Sequence, residues 1–139
     1  MVTTKPKWRK GNGNREAYRF ATQKLSILTP FYNLFYREGK KVISDDLKLS
    51  PLSLAVWFMD DGSKSRSSIY LNTQQFTKDE QLKLIDLLRN QFDIDSTLNK
   101  DKIYYRIRIW TQSVKRFTEL VKTFVLEEFQ YKFPSVLTP

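Results

Sequence analysis

From residue 50 the chain runs through Leu52, Leu54, Ala55, Val56, Trp57, Phe58 and Met59 with hardly a polar side chain between them. Ser50 is a good helix cap and Pro51 suits the first helical position, so a helix is predicted up to Asp60-Asp61-Gly62. Because it is apolar on every side, it must be buried all round, by its own domain on one side and a partner on the other. Residues 66–74 then alternate, with Ile69, Leu71 and Thr73 on one face and Arg66, Ser68, Tyr70, Asn72 and Gln74 on the other, the pattern of a half-buried strand. Thr77 followed three residues later by Glu80 is a capping box. It opens a helix to Phe92 that would bury Leu82, Ile85, Leu88 and Phe92. A hairpin with its turn near residues 99–102 follows. Its return strand, residues 103–110, would set Ile103, Tyr105, Ile107 and Ile109 against Tyr104, Arg106, Arg108 and Trp110. Ser113 would cap a last helix with Phe117, Leu120, Val121, Phe124 and Val125 inward.

The first third reads differently. Residues 5–23 form a predicted hairpin around the turn chemistry of Gly11-Asn12-Gly13-Asn14. A short helix over residues 28–36 ends at Gly39, and residues 40–49 make a polar linker. From Ser50 onward the order is helix, hairpin, helix, hairpin, helix. The fold class is therefore α+β, an αββαββα repeat with a curved antiparallel sheet. The hairpin–helix order of residues 5–36 repeats that of residues 95–129, so residues 1–49 read as the end of a preceding repeat and residues 50–139 as a complete one.

Composition narrows the chemistry. The 139 residues are 40% hydrophobic, enough for a core, and carry 24 Lys and Arg against 15 acids, a net charge of +9. Such an excess points to a polyanionic partner, nucleic acid first. With no Cys and no His, zinc fingers, thiol nucleophiles and Ser-His-Asp triads are excluded. Catalysis would rest on carboxylates, lysines, hydroxyls or a metal held by oxygens. No apolar run reaches the roughly 18–20 residues that span a bilayer, and residues 1–10 lack the apolar stretch of a secretory signal. A soluble protein with no membrane partner is expected.

Asp60-Asp61 sits where a helix end is already partly negative, a placement that costs about 0.3–1 kcal/mol. A divalent cation would resolve that conflict, since carboxylates and terminal carbonyls are both hard oxygen ligands. The plainer reading is that the acids solvate a helix end and start a turn at Gly62. The polar strand faces carry the side chains that hold phosphates and read base edges, with Arg106 and Arg108 flanked by Tyr104 and Trp110. The plainer reading there is a solvated sheet face.

The stretch Leu54-Ala55-Val56-Trp57-Phe58-Met59-Asp60-Asp61-Gly62 resembles the helix motif of the LAGLIDADG homing endonucleases, in the branch reading L-A-x-W-F-M-D-D-G. Leu71-Asn72-Thr73-Gln74, Tyr131-Lys132-Phe133-Pro134 and residues 35–43 are similar to that branch as well. The resemblance implies two such helices packed on a pseudo-twofold axis, with the last acid of each binding Mg²⁺ or Mn²⁺. That acid is Asp61, with Gly62 and, secondarily, Asp60 beside it. Lys132 matches a basic residue near the scissile phosphates, and Lys41 its equivalent from the preceding repeat, with Lys40 as the register alternative. The DNA-reading saddle would take in Lys64, Arg66, Ser68, Tyr70, Asn72, Gln74, Lys100, Lys102, Tyr104, Arg106, Arg108 and Trp110, with Lys7, Arg9, Arg19 and Gln23 on the first hairpin. The implied function is a site-specific, intron-homing endonuclease of double-stranded DNA, or the C-terminal portion of one. An RNA-binding intron maturase, with intron RNA as partner, and a non-cleaving DNA-binding protein are the alternatives. The chain departs from the family in having one acid-bearing helix, which leaves three explanations: a second helix from a preceding repeat, a second helix from a homodimer, or a decayed descendant. It also has Val56 where the family has Gly. Richness in Lys, Asn, Phe, Tyr and Ile suits an AT-rich organellar genome, so mitochondrion or chloroplast is expected, and cytoplasm otherwise.

Overall fold

A computed structural model describes residues 5–11, 13, 16–21 and 23–135. Four helices, α1 (Thr29–Phe35), α2 (Pro51–Asp61), α3 (Lys78–Phe92) and α4 (Thr111–Val121), alternate with antiparallel hairpins. The strands are β1 (Lys7–Lys10), β2 (Glu16–Arg19), β3 (Tyr36–Arg37), β4 (Lys40–Lys41), β5 (Gly62–Ser65), β6 (Ser68–Leu71), β7 (Ser96–Asp101) and β8 (Tyr104–Ile109). From α2 onward this is the expected αββαββα order. The last four strands form one sheet in the order β5-β6-β8-β7, so two local hairpins are joined through their inner strands, with Ile69 opposite Ile109 and Leu71 opposite Ile107.

Local chemistry explains where the helices begin. The Ser50 hydroxyl accepts from the Ser53 amide while the Ser53 hydroxyl accepts from the Ser50 amide, and Pro51 follows. At α3 the Thr77 hydroxyl accepts from the Glu80 amide and the Glu80 carboxylate accepts from the Thr77 amide. Each box satisfies N–H groups that have no partner within the helix. Helix α3 stops at Asp93, which takes the left-handed conformation at φ 57, tolerable for Asp because its short polar side chain bonds locally.

Three helices cover one face of the sheet. Leu54, Ala55 and Phe58 of α2 meet Ile69, Leu71, Ile107 and Ile109 from the inner strands, and Leu84, Leu88, Val114, Phe117 and Val121 complete the core. The Phe58 ring meets Phe117 edge-on at 5.3 Å and Phe133 at 4.9 Å. Gly62 begins β5 opposite Leu71, and a Cβ there would stand 2.3 Å from Cδ2 of Phe58. Gly62→Ala is therefore expected to destabilise the fold by about 1–3 kcal/mol through overpacking, read as a lower urea midpoint at unchanged slope.

Several boundaries differ from the sequence reading. The face of α3 that packs inward is Gln81, Leu84, Leu88 and Phe92, whereas Leu82 is exposed. Gln81 tolerates burial because its amide accepts from the Thr73 hydroxyl at 2.9 Å and donates to the Phe76 carbonyl at 3.1 Å. The second hairpin turns at Lys102 and Ile103, beyond the expected site, so Ile103 is 80% exposed and stays out of the core. The expected strand over residues 66–74 is shorter at both ends, with Arg66 in the β5–β6 turn at φ 48. Ser113 does not cap α4; Trp110 holds that position, and the Ser113 hydroxyl accepts from the Asp95 amide instead. Phe124 is exposed. The expected linker begins with a small hairpin, β3–β4, closed by Glu38 and Gly39, both at positive φ, the backbone a two-residue hairpin turn requires.

The N-terminal elements have the predicted order but no core. Strands β1 and β2 pair with Trp8 opposite Tyr18, and their turn lies partly outside the described residues, at Asn12 and Asn14. No described residue between 5 and 34 is buried, and Ile27, Leu28, Phe31 and Leu34 of the 3-10 turn and α1 are exposed. Nor is α2 buried all round: Leu52, Val56 and Asp60, four residues apart, form an exposed stripe along it. Among the described residues no helix is long and apolar enough to cross a membrane.

Candidate acid site and nucleic-acid interface

Asp61 is the last residue of α2 and half-buried, while Asp60 is exposed on the stripe. The chain itself answers much of the electrostatic conflict at this helix end. The Lys132 ammonium donates to the Met59 carbonyl at 2.5 Å and lies 3.5 Å from the Asp60 carbonyl, placing a cation where the helix dipole favours one. The Asp61 carbonyl accepts from the backbone and side-chain N–H groups of Asn72, at 2.9 and 2.8 Å. The carbonyls of Met59, Asp60 and Asp61 thus have hydrogen-bond partners within the chain. Gly62, expected beside the metal, directly follows Asp61 and is packed against Phe58. The carboxylates of Asp61 and Asp60 are left. Among the described residues no group of three or more acidic side chains gathers. The donor set is hard oxygen, right for Mg²⁺ or Mn²⁺, but fills only part of the six or more positions such ions take.

Lys41, at the end of β4, lines with Asp61 a cavity of about 330 Å³ whose other walls include Tyr36, Val42 and Trp57. Lys40, the register alternative, pairs with Arg37 and does not line it. The strap that follows is pinned to α3. The Ile43 amide donates to Glu80 at 3.3 Å and the Leu49 amide to Gln91 at 2.9 Å. Lys83 bonds Asp45, and that hydrogen bond, then its charge, holds the Asp45 carboxyl below its ordinary range. Glu80 and Gln91 therefore help place Lys41. The capping-box spacing marks Glu80 in the sequence, but nothing there marks its second partner.

The sheet face opposite the core carries Ser63, Ser65, Ser68 and Tyr70 on one hairpin and Thr97, Asn99, Asp101, Tyr104, Arg106 and Arg108 on the other, as the register dictates. The turn expected at residues 99–102 leaves Asn99 off this face, whereas the register puts it there. The Arg108 guanidinium gives two hydrogen bonds to Ser68, at 3.1 and 2.9 Å, which explains why Ser68 is buried. The Arg106 guanidinium lies 4.0 Å over the Tyr70 ring. Gln74 donates to Asp101 at 2.9 Å.

Two expected members of this face sit on the other side. Lys64 pairs with Ile69 and Lys100 with Tyr105, so both project toward the helices. Strict alternation sends every second residue there, whatever its charge. Arg66 and Lys102 occupy the exposed hairpin tips, and Trp110 is exposed beyond the end of β8. On the first hairpin the register puts Lys7, Arg9 and Arg19 on one face and Trp8 and Tyr18 on the other; Gln23 lies past β2, exposed.

The chain thus combines an acid at the end of an apolar helix with a sheet whose outer face is polar and basic. Residues 1–117 match the LAGLIDADG DNA endonuclease family. The chain belongs to that family. This LAGLIDADG chain is 30% identical over 122 residues to the cytochrome b mRNA maturase bI2 of Debaryomyces hansenii, covering 85% of itself and 47% of that protein. It is 29% identical over 135 residues to the probable intron-encoded DNA endonuclease 3 of Mycosarcoma maydis, covering 91% and 99%. The homing endonuclease I-WcaI, solved bound to its DNA recognition sequence, superposes with a TM-score of 0.85 at 28% identity over 95% of this chain and 65% of that one. The LAGLIDADG chain thus spans about half of the maturase and nearly all of the Mycosarcoma protein.

Proposed function

We propose that this chain is a site-specific endonuclease of double-stranded DNA, of the intron-homing type, or the C-terminal portion of one, and that Asp61 holds its metal. The observation that carries this reading is a half-buried Asp61 at the end of a helix whose Leu52, Val56 and Asp60 stripe stays uncovered. A second acid-bearing helix laid along that stripe would bring a second carboxylate beside the first. It would come from a preceding repeat, whose end residues 1–49 represent, or from a second copy of the chain.

Bound Mg²⁺ or Mn²⁺ would supply the Lewis acid for a hydrolytic, in-line displacement at phosphorus. Asp61 would hold it through its carboxylate, with Asp60 secondary. Lys41, on the cavity it shares with Asp61, adds positive charge where the phosphate gains negative charge. Lys132 holds the helix end neutral, so that the Asp61 carboxylate is not repelled by its own helix. The polar sheet face takes the duplex, as an antiparallel ribbon can in the major groove, with Arg66, Lys102 and the basic face of the first hairpin on phosphates. An organelle genome fits the composition and the names of the intron-encoded relatives.

The test is a supercoiled plasmid carrying the intronless host locus, incubated with the chain and Mg²⁺ or with a chelator. Metal-dependent linear product is the expected result, while nicked product alone would mean one working site. No cut with binding retained would defeat the autonomous nuclease. A second reading, an RNA-binding intron maturase, is favoured by the similarity to the Debaryomyces maturase.

A further inference from the structure

Two arginines alternate on the outer sheet face, and the structure gives them different work. Arg108 spends Nε and one Nη on the hydroxyl of Ser68, which is 2% exposed. Since Ser68 belongs to β6 and Arg108 to β8, this fork ties the two hairpins together and leaves little of the guanidinium for a ligand. Arg106 makes no such bond. Its Nε is shut off from solvent with no acceptor among the described residues, and no carboxylate there forms an ion pair with it. Its guanidinium sits over Tyr70, with Cζ 4.0 Å from the ring centroid, and its cross-strand neighbour on β7 is the neutral Asn99.

We propose that Arg106 is a specificity-determining residue that reads one guanine in the major groove, with Tyr70 as the platform that orients it; this rests on the reading that the outer face takes duplex DNA. With Nε shielded, the edge left to the guanidinium is its two Nη groups, a fork held in place by the ring beneath it. Guanine presents O6 and N7 side by side on its major-groove edge, the pair of acceptors such a fork matches. A phosphate offers two acceptors as well. Arg106 lies within the strand rather than at a hairpin tip, where Arg66 and Lys102 are placed to meet the backbone. Lys in place of Arg would keep the charge and lose the fork.

The experiment selects bound sequences from a randomised duplex pool with the full chain, Arg106→Lys, Tyr70→Phe and Tyr70→Leu. The intact chain is expected to prefer guanine at one position by roughly tenfold or more, the worth of a bidentate contact. Arg106→Lys and Tyr70→Leu should erase that preference at that position alone, and Tyr70→Phe, which keeps the ring, should retain it. The retained preferences at other positions report that the variants are folded. Uniform weakening by Arg106→Lys across all sequences, with a salt slope lower by about 1, would identify a phosphate contact and overturn the guanine assignment only. No duplex binding by the intact chain would overturn the DNA reading and this inference with it.

Discussion

Asp61→Asn is expected to lower metal-dependent strand cleavage by at least about 10³-fold, corresponding to roughly 4 kcal/mol of lost transition-state stabilisation, while duplex affinity changes little. The substitution keeps the shape of the side chain and removes its charge. The hydrogen bonds that organise this corner use the Asp61 main-chain carbonyl, which accepts from Asn72 twice, and the Met59 carbonyl, which accepts from Lys132. None of them needs the carboxylate. Removing a negative charge from a helix C-terminus should, if anything, stabilise α2 by about 0.3–1 kcal/mol. The variant should therefore fold at least as well as the parent, and a lost activity cannot be blamed on a lost fold. Plasmid cleavage and a gel-shift affinity, measured on the same preparations, check both halves. Splicing assistance that survives Asp61→Asn, in a chain that never cleaves, would favour the maturase.

Phe58→Ala should have the largest effect on stability, about 3–5 kcal/mol, against a typical domain stability of about 5–15 kcal/mol. Phe58 is fully buried and meets α4 through Phe117 and the C-terminal segment through Phe133. Gly62 is moulded to it. A cavity there cannot collapse easily, because its walls come from α2, β5, α4 and the segment carrying Phe133. Denaturant unfolding should show the midpoint falling sharply while m is kept.

Periodicity made most of the repeat legible: the αββαββα order, the caps Ser50 and Thr77 but not Ser113, and Ile69, Leu71, Ile107 and Ile109 of the inner strands follow from spacing alone. What it missed was decided across the chain. Residues 99–102 are all good turn formers, and only pairing against β8 shows that Asn99 and Lys100 belong to a strand. The buried face of α3 is rotated because Thr73 offers Gln81 a partner, so a polar residue enters where Leu82 was expected. Lys132 could be named from its motif, but its partner carbonyl lies 73 positions away. Charge also misled the assignment of faces, since Lys64 and Lys100 follow the pleat to the helix side. The acid at the helix end broke a local rule, as functional positions do, and half of its compensation was a lysine that no pattern near Asp61 announces.

The sheet order has a kinetic consequence. Each hairpin can close on its own in about 1–10 μs, but the β6–β8 seam that unites them joins residues such as Ser68 and Arg108, 40 positions apart. A chain whose decisive pairing is non-local folds slowly, and mixed α/β domains fall between helical bundles and all-β sandwiches in rate. Helix α3 lies within the intervening chain, so its early formation would stiffen the loop and bring the seam's two sides within reach. Folding should then be limited by one event, the meeting of two ready-made halves.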